Sequence, residues 1–203
     1  MKNKNIYLSF TIFVLALLGL INNLKAQTFI NPYIGYGAAK LNFPLPIGFD
    51  PNLKSHDKVY SKSTFLGFSL IKILNKYWSI DFQSDIGYQK FLRSDISFSG
   101  DEGSYFWQFR NSIIPKVFVG EKWRVGIGLN FDFLNSNHIR YDRIRKRAEF
   151  GSILQVNYLL NENFNLHLNC RHTLKAIDFR YPSNLDPHQS LNLGLGYRLQ
   201  IEK

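Results

Sequence analysis

From Leu191 to Ile201 the chain alternates without a break: Leu191, Leu193, Leu195, Tyr197, Leu199 and Ile201 share one parity, and Asn192, Gly194, Gly196, Arg198 and Gln200 the other. A strand points successive side chains to opposite faces, so this segment needs one apolar and one polar environment along its whole length. A helix cannot use the pattern, because a period of 3.6 would scatter the apolar residues around its surface. Period-2 alternation recurs throughout, giving eight segments at about 28–41, 61–74, 78–93, 105–119, 123–134, 148–160, 164–177 and 188–201. The expectation is an all-β chain.

The connections alternate short and long. Asn75-Lys76-Tyr77, Gly120-Glu121-Lys122 and Asn161-Glu162-Asn163 read as tight turns, rich in residues that tolerate left-handed backbone. Between them lie polar loops at 44–60, 94–104, 135–147 and 179–187. A three-residue turn pairs residues of equal parity across the hairpin, which therefore share a face. All three hairpins obey this rule: Trp107, Phe109 and Ile113 match Val125, Ile127 and Leu129; Leu154 and Val156 match Leu166 and Leu168; Leu66 and Phe68 match Ile80 and Phe82. In the hairpin turning at 120–122 the register sets Arg110 opposite Asp132, which predicts a cross-strand ion pair.

Alternation alone does not say which face is inside, since a soluble lipocalin-like barrel and a membrane barrel share it with opposite sense. The polar face is rich in glycine and amides: Gly87, Gly126, Gly128, Gly151, Gly194 and Gly196 with Gln83, Asn130, Gln155, Asn157, Asn169 and Asn192. Water-facing surface favours Lys and Glu, whereas the narrow lumen of an eight-stranded barrel selects small side chains. Aromatics also mark strand ends ten residues apart, from Trp78 to Tyr88 and from Trp123 to Phe133. Ten residues make roughly 33 Å of strand, or about 25 Å of membrane normal at a tilt of ~40°. The fold class expected is an eight-stranded antiparallel up-and-down transmembrane β-barrel.

Residues 1–26 carry Lys2 and Lys4, an apolar run from Ile6 to Ile21, and a small residue, Ala26, before Gln27. That is the layout of an export signal, and the run is short for a spanning helix. The expected organisation is a signal peptide at 1–26 and one barrel domain at 27–203. Without the leader the balance of basic and acidic residues falls from 25:15 to 22:15, because Lys2, Lys4 and Lys25 leave and no acid does. For an exported chain, the anions met first are lipid head groups and lipopolysaccharide rather than nucleic acid. Cys170 is the single cysteine, which excludes an intrachain disulfide and a cysteine-based metal cluster.

The final segment holds Asn192-x-Gly194-x-x-Tyr197-x-Leu199, which resembles the polar-x-Gly-x-x-aromatic-x-hydrophobic signal read by barrel-assembly machinery, although this chain runs on to Glu202-Lys203 rather than stopping on Phe. "FQSDIGYQK" (82–90), "NSIIPKVFV" (111–119) and "LNLGLGYRL" (191–199) together resemble the PorT-like outer-membrane β-barrel family, over most of residues 27–203. The resemblance implies an outer-membrane protein, with some members linked to protein secretion, and brings no catalytic residues.

Charged residues fall on the polar face: Asp81, Asp85, Arg110, Lys116, Arg124, Asp132, Glu149, Arg171 and Arg198. Charges in a lumen must be paired. This predicts a structural ion-pair network of Asp81, Asp85, Arg110, Asp132, Glu149, Arg171 and Arg198, with a selective pore as the alternative. The loop "HIRYDRIRKR" (138–147) sets Arg140, Arg143, Arg145, Lys146 and Arg147 against Asp142 alone, and is expected to bind anionic groups at the outer surface. A lipid A deacylase of the PagL type would need His-x-Ser-Asn on a late strand; the nearest match, His172-Thr173-Leu174-Lys175, has neither Ser nor Asn. His138, His167 and His172 lack metal-ligand spacing. No catalytic residue, cofactor or metal is expected. The function expected is that of a non-enzymatic outer-membrane barrel acting through its loops or within an outer-membrane complex; a lipid A-modifying enzyme and a narrow channel are the alternatives. The partners expected are outer-membrane lipid and lipopolysaccharide, the barrel-assembly machinery during insertion, and a membrane protein, with no nucleic acid.

Overall fold

The computed structural model describes residues 27–44, 56–92, 105–136, 146–178 and 189–202. Within them the chain is strand joined by tight turns: β1 (Thr28–Pro44), β2 (His56–Ile73), β3 (Trp78–Leu92), β4 (Tyr105–Val119), β5 (Trp123–Ser136), β6 (Lys146–Leu159), β7 (Phe164–Asp178), β8 (Gln189–Tyr197) and β9 (Leu199–Glu202). β8 and β9 are one barrel strand in two pieces that flank Arg198; both pair with β1. Each strand is antiparallel to its neighbours, and β1 also pairs with β2, which closes the sheet. The result is a closed eight-stranded, all-antiparallel β-barrel.

The sequence reading is corrected at the strand ends. β1 runs on to Pro44 and β2 begins at His56, so both ends of the expected 44–60 loop are strand. Lys146 and Arg147, expected in the basic loop, begin β6 and pair with Asn135 and Leu134. Arg140, Arg143 and Arg145 lie outside the described residues, as do residues 1–26.

Two of the three turns share one construction. The Oδ1 of Asn75 accepts from the backbone N–H of Tyr77 (2.8 Å) and Trp78 (3.0 Å), and that of Asn161 does the same for Asn163 (2.9 Å) and Phe164 (2.7 Å). This side-chain mimicry of a backbone turn is what Asn does best. The turn at 120–122 instead uses Gly120 at φ 65°, a conformation that side chains resist. The turns fix the register, and each hairpin pairs as its length demands: Ile73 with Ser79, Val119 with Trp123, Tyr158 with Leu166. The register shifts at two places, a bulge near Phe150 and Gly151 and a step between Thr28 and Phe29.

Following partners around the barrel from Ile30 through Leu70, Phe82, Ile113, Leu129, Ser152, His172 and Gln189 returns to β1 at Lys40, ten residues along. With strands ~4.8 Å apart and a rise of ~3.3 Å per residue, a stagger of ten over eight strands gives a tilt of about 41° and a Cα radius of about 8 Å. So small a radius leaves space only for side chains.

The faces follow the alternation. Outside stand Ile34, Leu66, Phe68, Ile127, Leu129, Leu154, Leu168, Leu191, Leu193 and Leu195, all exposed. Inside stand Asp81, Gln83, Asp85, Arg110, Lys116, Asn130, Asp132, Gln155, Asn169, Arg171 and Asn192, all buried. Aromatic pairs sit toward both ends: Trp123 with Tyr158 (4.6 Å) and Phe164 with Tyr197 (5.0 Å) at the turn end, and Tyr88 with Trp107 (5.2 Å) at the other. An apolar wall bordered by aromatics is the exterior of a barrel built for lipid.

Candidate functional site

The chemistry of the described residues is concentrated in the lumen, because the outward parity is mostly apolar, with Ser84, Asn111, Ser152 and His172 among the exceptions. β3, β4 and β5 bring Asp85, Arg110 and Asp132 into one row, each opposite the next in register. Arg110 faces Asp132 as its pairing requires, but its Nε ion-pairs with Asp85 on the other side. This corrects the expected Arg110–Asp132 pair. The carboxylate of Asp132 is taken from across the lumen, where Nη1 of Arg171 on β7 lies 3.1 Å away and the same guanidinium reaches Asp85 at 3.5 Å. Asp132 also accepts from Gln108 (3.3 Å) and Asn130 (3.2 Å), and Asp85 from the hydroxyl of Tyr33 (2.9 Å). Arg110 reaches Asn192 on β8 (3.3 Å) and packs over the Phe65 ring at 4.4 Å. Glu149 accepts from Thr173 (2.8 Å).

A second group lies nearer the turns. Lys116, wholly buried, ion-pairs with Asp81 and donates to Asn157 (3.1 Å). Between the two groups Gln83 donates to Gln155 (2.9 Å), joining β3 to β6 across the barrel. Closer still to the turns, Asn165 donates to Asn31 (2.7 Å) and Asn31 to Ser69 (3.2 Å). The lumen is thus spanned by side-chain contacts at successive heights, and a buried polar group held on several sides gives rigidity.

Arg198 departs from the expected network. Its guanidinium lies over Phe29 at 4.3 Å, and among the described residues no carboxylate is in ion-pair range of it, since Asp81, the acid toward that end, is engaged by Lys116. Arg124 is in the same position, over Phe118 at 4.8 Å.

His167 is a further lumen residue, outside the expected ion-pair network. It is 1% exposed, its ring 4.7 Å from that of Tyr33, and it stands opposite Gly194, where an added Cβ would fall 2.1 Å from Nε2. Its parity on β7 and its pairing with a glycine were the available signals. Glycine is also required where Pro115 interrupts the β4–β5 ladder: the Cβ of a residue at Gly128 would meet the carbonyl oxygen of Ile113 at 2.0 Å. Proline brings no N–H to a ladder, and here its neighbours approach more closely than a side chain allows.

His172 and Thr173 do not form an acyl-transfer pair. Thr173 points into the lumen while His172 alternates to the outer face, near Gln189 at 3.4 Å, so the two cannot act as nucleophile and base on one substrate. Ser190, on the inner face of β8, is buried and accepts from Asn192 (3.1 Å). Among the described residues no group of three His, Cys, Asp or Glu side chains is placed to hold a metal ion.

No protein-family model matches this chain, and no curated protein does. Among solved structures it is similar to Ail, the attachment invasion locus protein of Yersinia pestis, at 14% identity over 85% of this chain and 99% of that one, with a TM-score of 0.51. OprG from Pseudomonas aeruginosa (13% identity, 88% and 98% covered, TM-score 0.47) and Neisserial surface protein A (14%, 86% and 97%, 0.46) also match. With its closed register, apolar exterior and polar lumen, the chain has the fold of the small outer-membrane β-barrels.

Proposed function

We propose that this chain is an outer-membrane protein, exported by residues 1–26 and inserted as a barrel of residues 27–203, that acts without catalysis. Its barrel is a rigid stave, and its work is done at the loops or by contact with other membrane proteins. The PorT-like resemblance of the segments at 82–90, 111–119 and 191–199 makes a secretion complex the first assembly to examine. Lipopolysaccharide at the basic loop, barrel-assembly machinery acting on the last strand, and a membrane protein partner are the proposed contacts. The observation that supports this reading is the cross-lumen network: Arg171 joins Asp85 and Asp132, and Gln83 joins Gln155, so the interior serves as a packed core. A lumen so bridged favours a platform over a channel.

Two measurements test the reading. The mature protein should fractionate with outer membrane and run faster on gels before heating than after, because a closed barrel satisfies its backbone internally and resists detergent. Recovery as a soluble monomer would reject the membrane assignment. Cross-linking in intact outer membranes should then capture a specific membrane protein, whereas stepwise conductance of the purified barrel in planar bilayers would favour the channel instead.

A further inference from the structure

Charge is out of balance at one end of the lumen. Among the described residues, Lys116, Arg124 and Arg198 lie buried toward the turn-side mouth, and the acid there, Asp81, is engaged by Lys116. Arg124 follows Trp123 at the start of β5; Arg198 sits between β8 and β9, with its backbone N–H donating to the carbonyl of Asn163 in the third turn (2.6 Å). The two arginines therefore enter the mouth from opposite parts of the wall, three strands apart. Each is 7% exposed, and the Nε–H of each is sealed from solvent without a protein acceptor. Phe118 and Phe29 back the two guanidinium planes and hold them upright.

A buried guanidinium without a carboxylate is costly and rare, and two facing one mouth need a common counter-charge. We propose that the turn-side mouth of the lumen is a binding site for a phosphate group, held between the forks of Arg124 and Arg198 above the ammonium of Lys116. Three cations against one carboxylate leave an excess of two positive charges, which a phosphate dianion neutralises and a single carboxylate would not. Planar forks match phosphate oxygens two at a time, and the low exposure of the site strengthens those contacts. Phosphate free in solution and phosphate on a lipid head group present the same oxygens; the site recognises the group itself. This inference stands apart from the proposed function and uses only the barrel.

The test needs no variant to begin with. The 15N-labelled mature chain is refolded in maltoside micelles, and its arginine Nε–Hε resonances are followed as sodium phosphate is added, with sodium chloride at matched ionic strength as the control. The Arg124 and Arg198 signals should move together and saturate, while those of Arg110 and Arg171, committed to Asp85 and Asp132, stay in place. Movement with neither this phosphate nor the lipid-borne phosphate of the second titration, equal movement with chloride, or equal movement of all four arginines would overturn the site. A second titration adds phosphatidic acid to phosphate-free micelles: a response to this alone identifies a lipid head group as the source, and a response to inorganic phosphate a soluble one. Arg124→Gln and Arg198→Gln should each weaken phosphate binding at least about tenfold, the loss of one charge-assisted fork. Unchanged affinity in both folded variants would refute the assignment.

Discussion

Asp85 is the shared acceptor of the lumen network, and its loss should exceed that of any single arginine around it. In Arg110→Ala, Asp85 keeps the Tyr33 hydroxyl at 2.9 Å and Arg171 at 3.5 Å, so the carboxylate is weakened but not abandoned. The cost should sit near the lower end of the range for breaking a buried pair, about 3 kcal/mol. In Asp85→Ala two guanidiniums lose their carboxylate at once. Arg110 is then left with Asn192 at 3.3 Å, and Arg171 with Asp132 at 3.1 Å, which places the cost nearer the upper end, about 5 kcal/mol. Equilibrium unfolding in urea from phospholipid vesicles reads both values through Trp78, Trp107 and Trp123, which lie on the outer face. A double-mutant cycle then separates partners: the Arg110–Asp85 coupling should reach about 1.5 kcal/mol or more and exceed that of Arg110–Asp132. The opposite order of couplings, or a milder effect for Asp85→Ala than for Arg110→Ala, would refute the network described here.

Other outcomes follow from the two faces. Ile127, 68% exposed and midway along the outer wall, should tolerate other apolar residues, whereas Ile127→Arg should destabilise the barrel in lipid by about 2–4 kcal/mol, read from the same urea curves. Gly194→Ala should cost about 1–3 kcal/mol by forcing a Cβ against His167, and the penalty should largely disappear in a His167→Ala background. Replacing Arg140, Arg143, Arg145, Lys146 and Arg147 with Gln should weaken lipopolysaccharide binding at low salt and leave urea stability unchanged; equal binding by parent and variant would make the segment a solvated connection.

The wall of the barrel was legible in the sequence, and the wiring of its interior was only partly so. Period-2 alternation sets faces, and a three-residue turn sets register, so the opposition of Arg110 and Asp132 could be read from the Gly120–Lys122 turn alone. The choice of Asp85 as the ion partner could not, because both acids flank Arg110 equally in the ladder and the decision rests on Arg171 arriving from β7 to claim Asp132. Strand ends at Pro44, His56 and Lys146 were misjudged because alternation fades there while backbone pairing continues. The isolation of Arg198 from the carboxylates of the described residues was likewise hidden, since parity puts a charge on the inner face without saying at what height its partner stands.

The double pairing of β1 has a consequence for how this molecule can fail. β1 is hydrogen-bonded to β2 on one side and to β8 and β9 on the other, so a contact between the two ends of the chain completes the ring. An open sheet that loses its last strand merely acquires a new edge in place of the old one. A ring that loses residues 189–202 goes from no edge to two, exposing the free sides of β1 and β7 to hydrocarbon, where each unsatisfied N–H or C=O costs several kcal/mol. Hairpins can form locally beforehand, yet none of them is worth keeping in lipid until the circle joins. Stability in such a molecule is therefore nearly all-or-none with respect to its last strand, and truncation there is a topological loss before it is an energetic one.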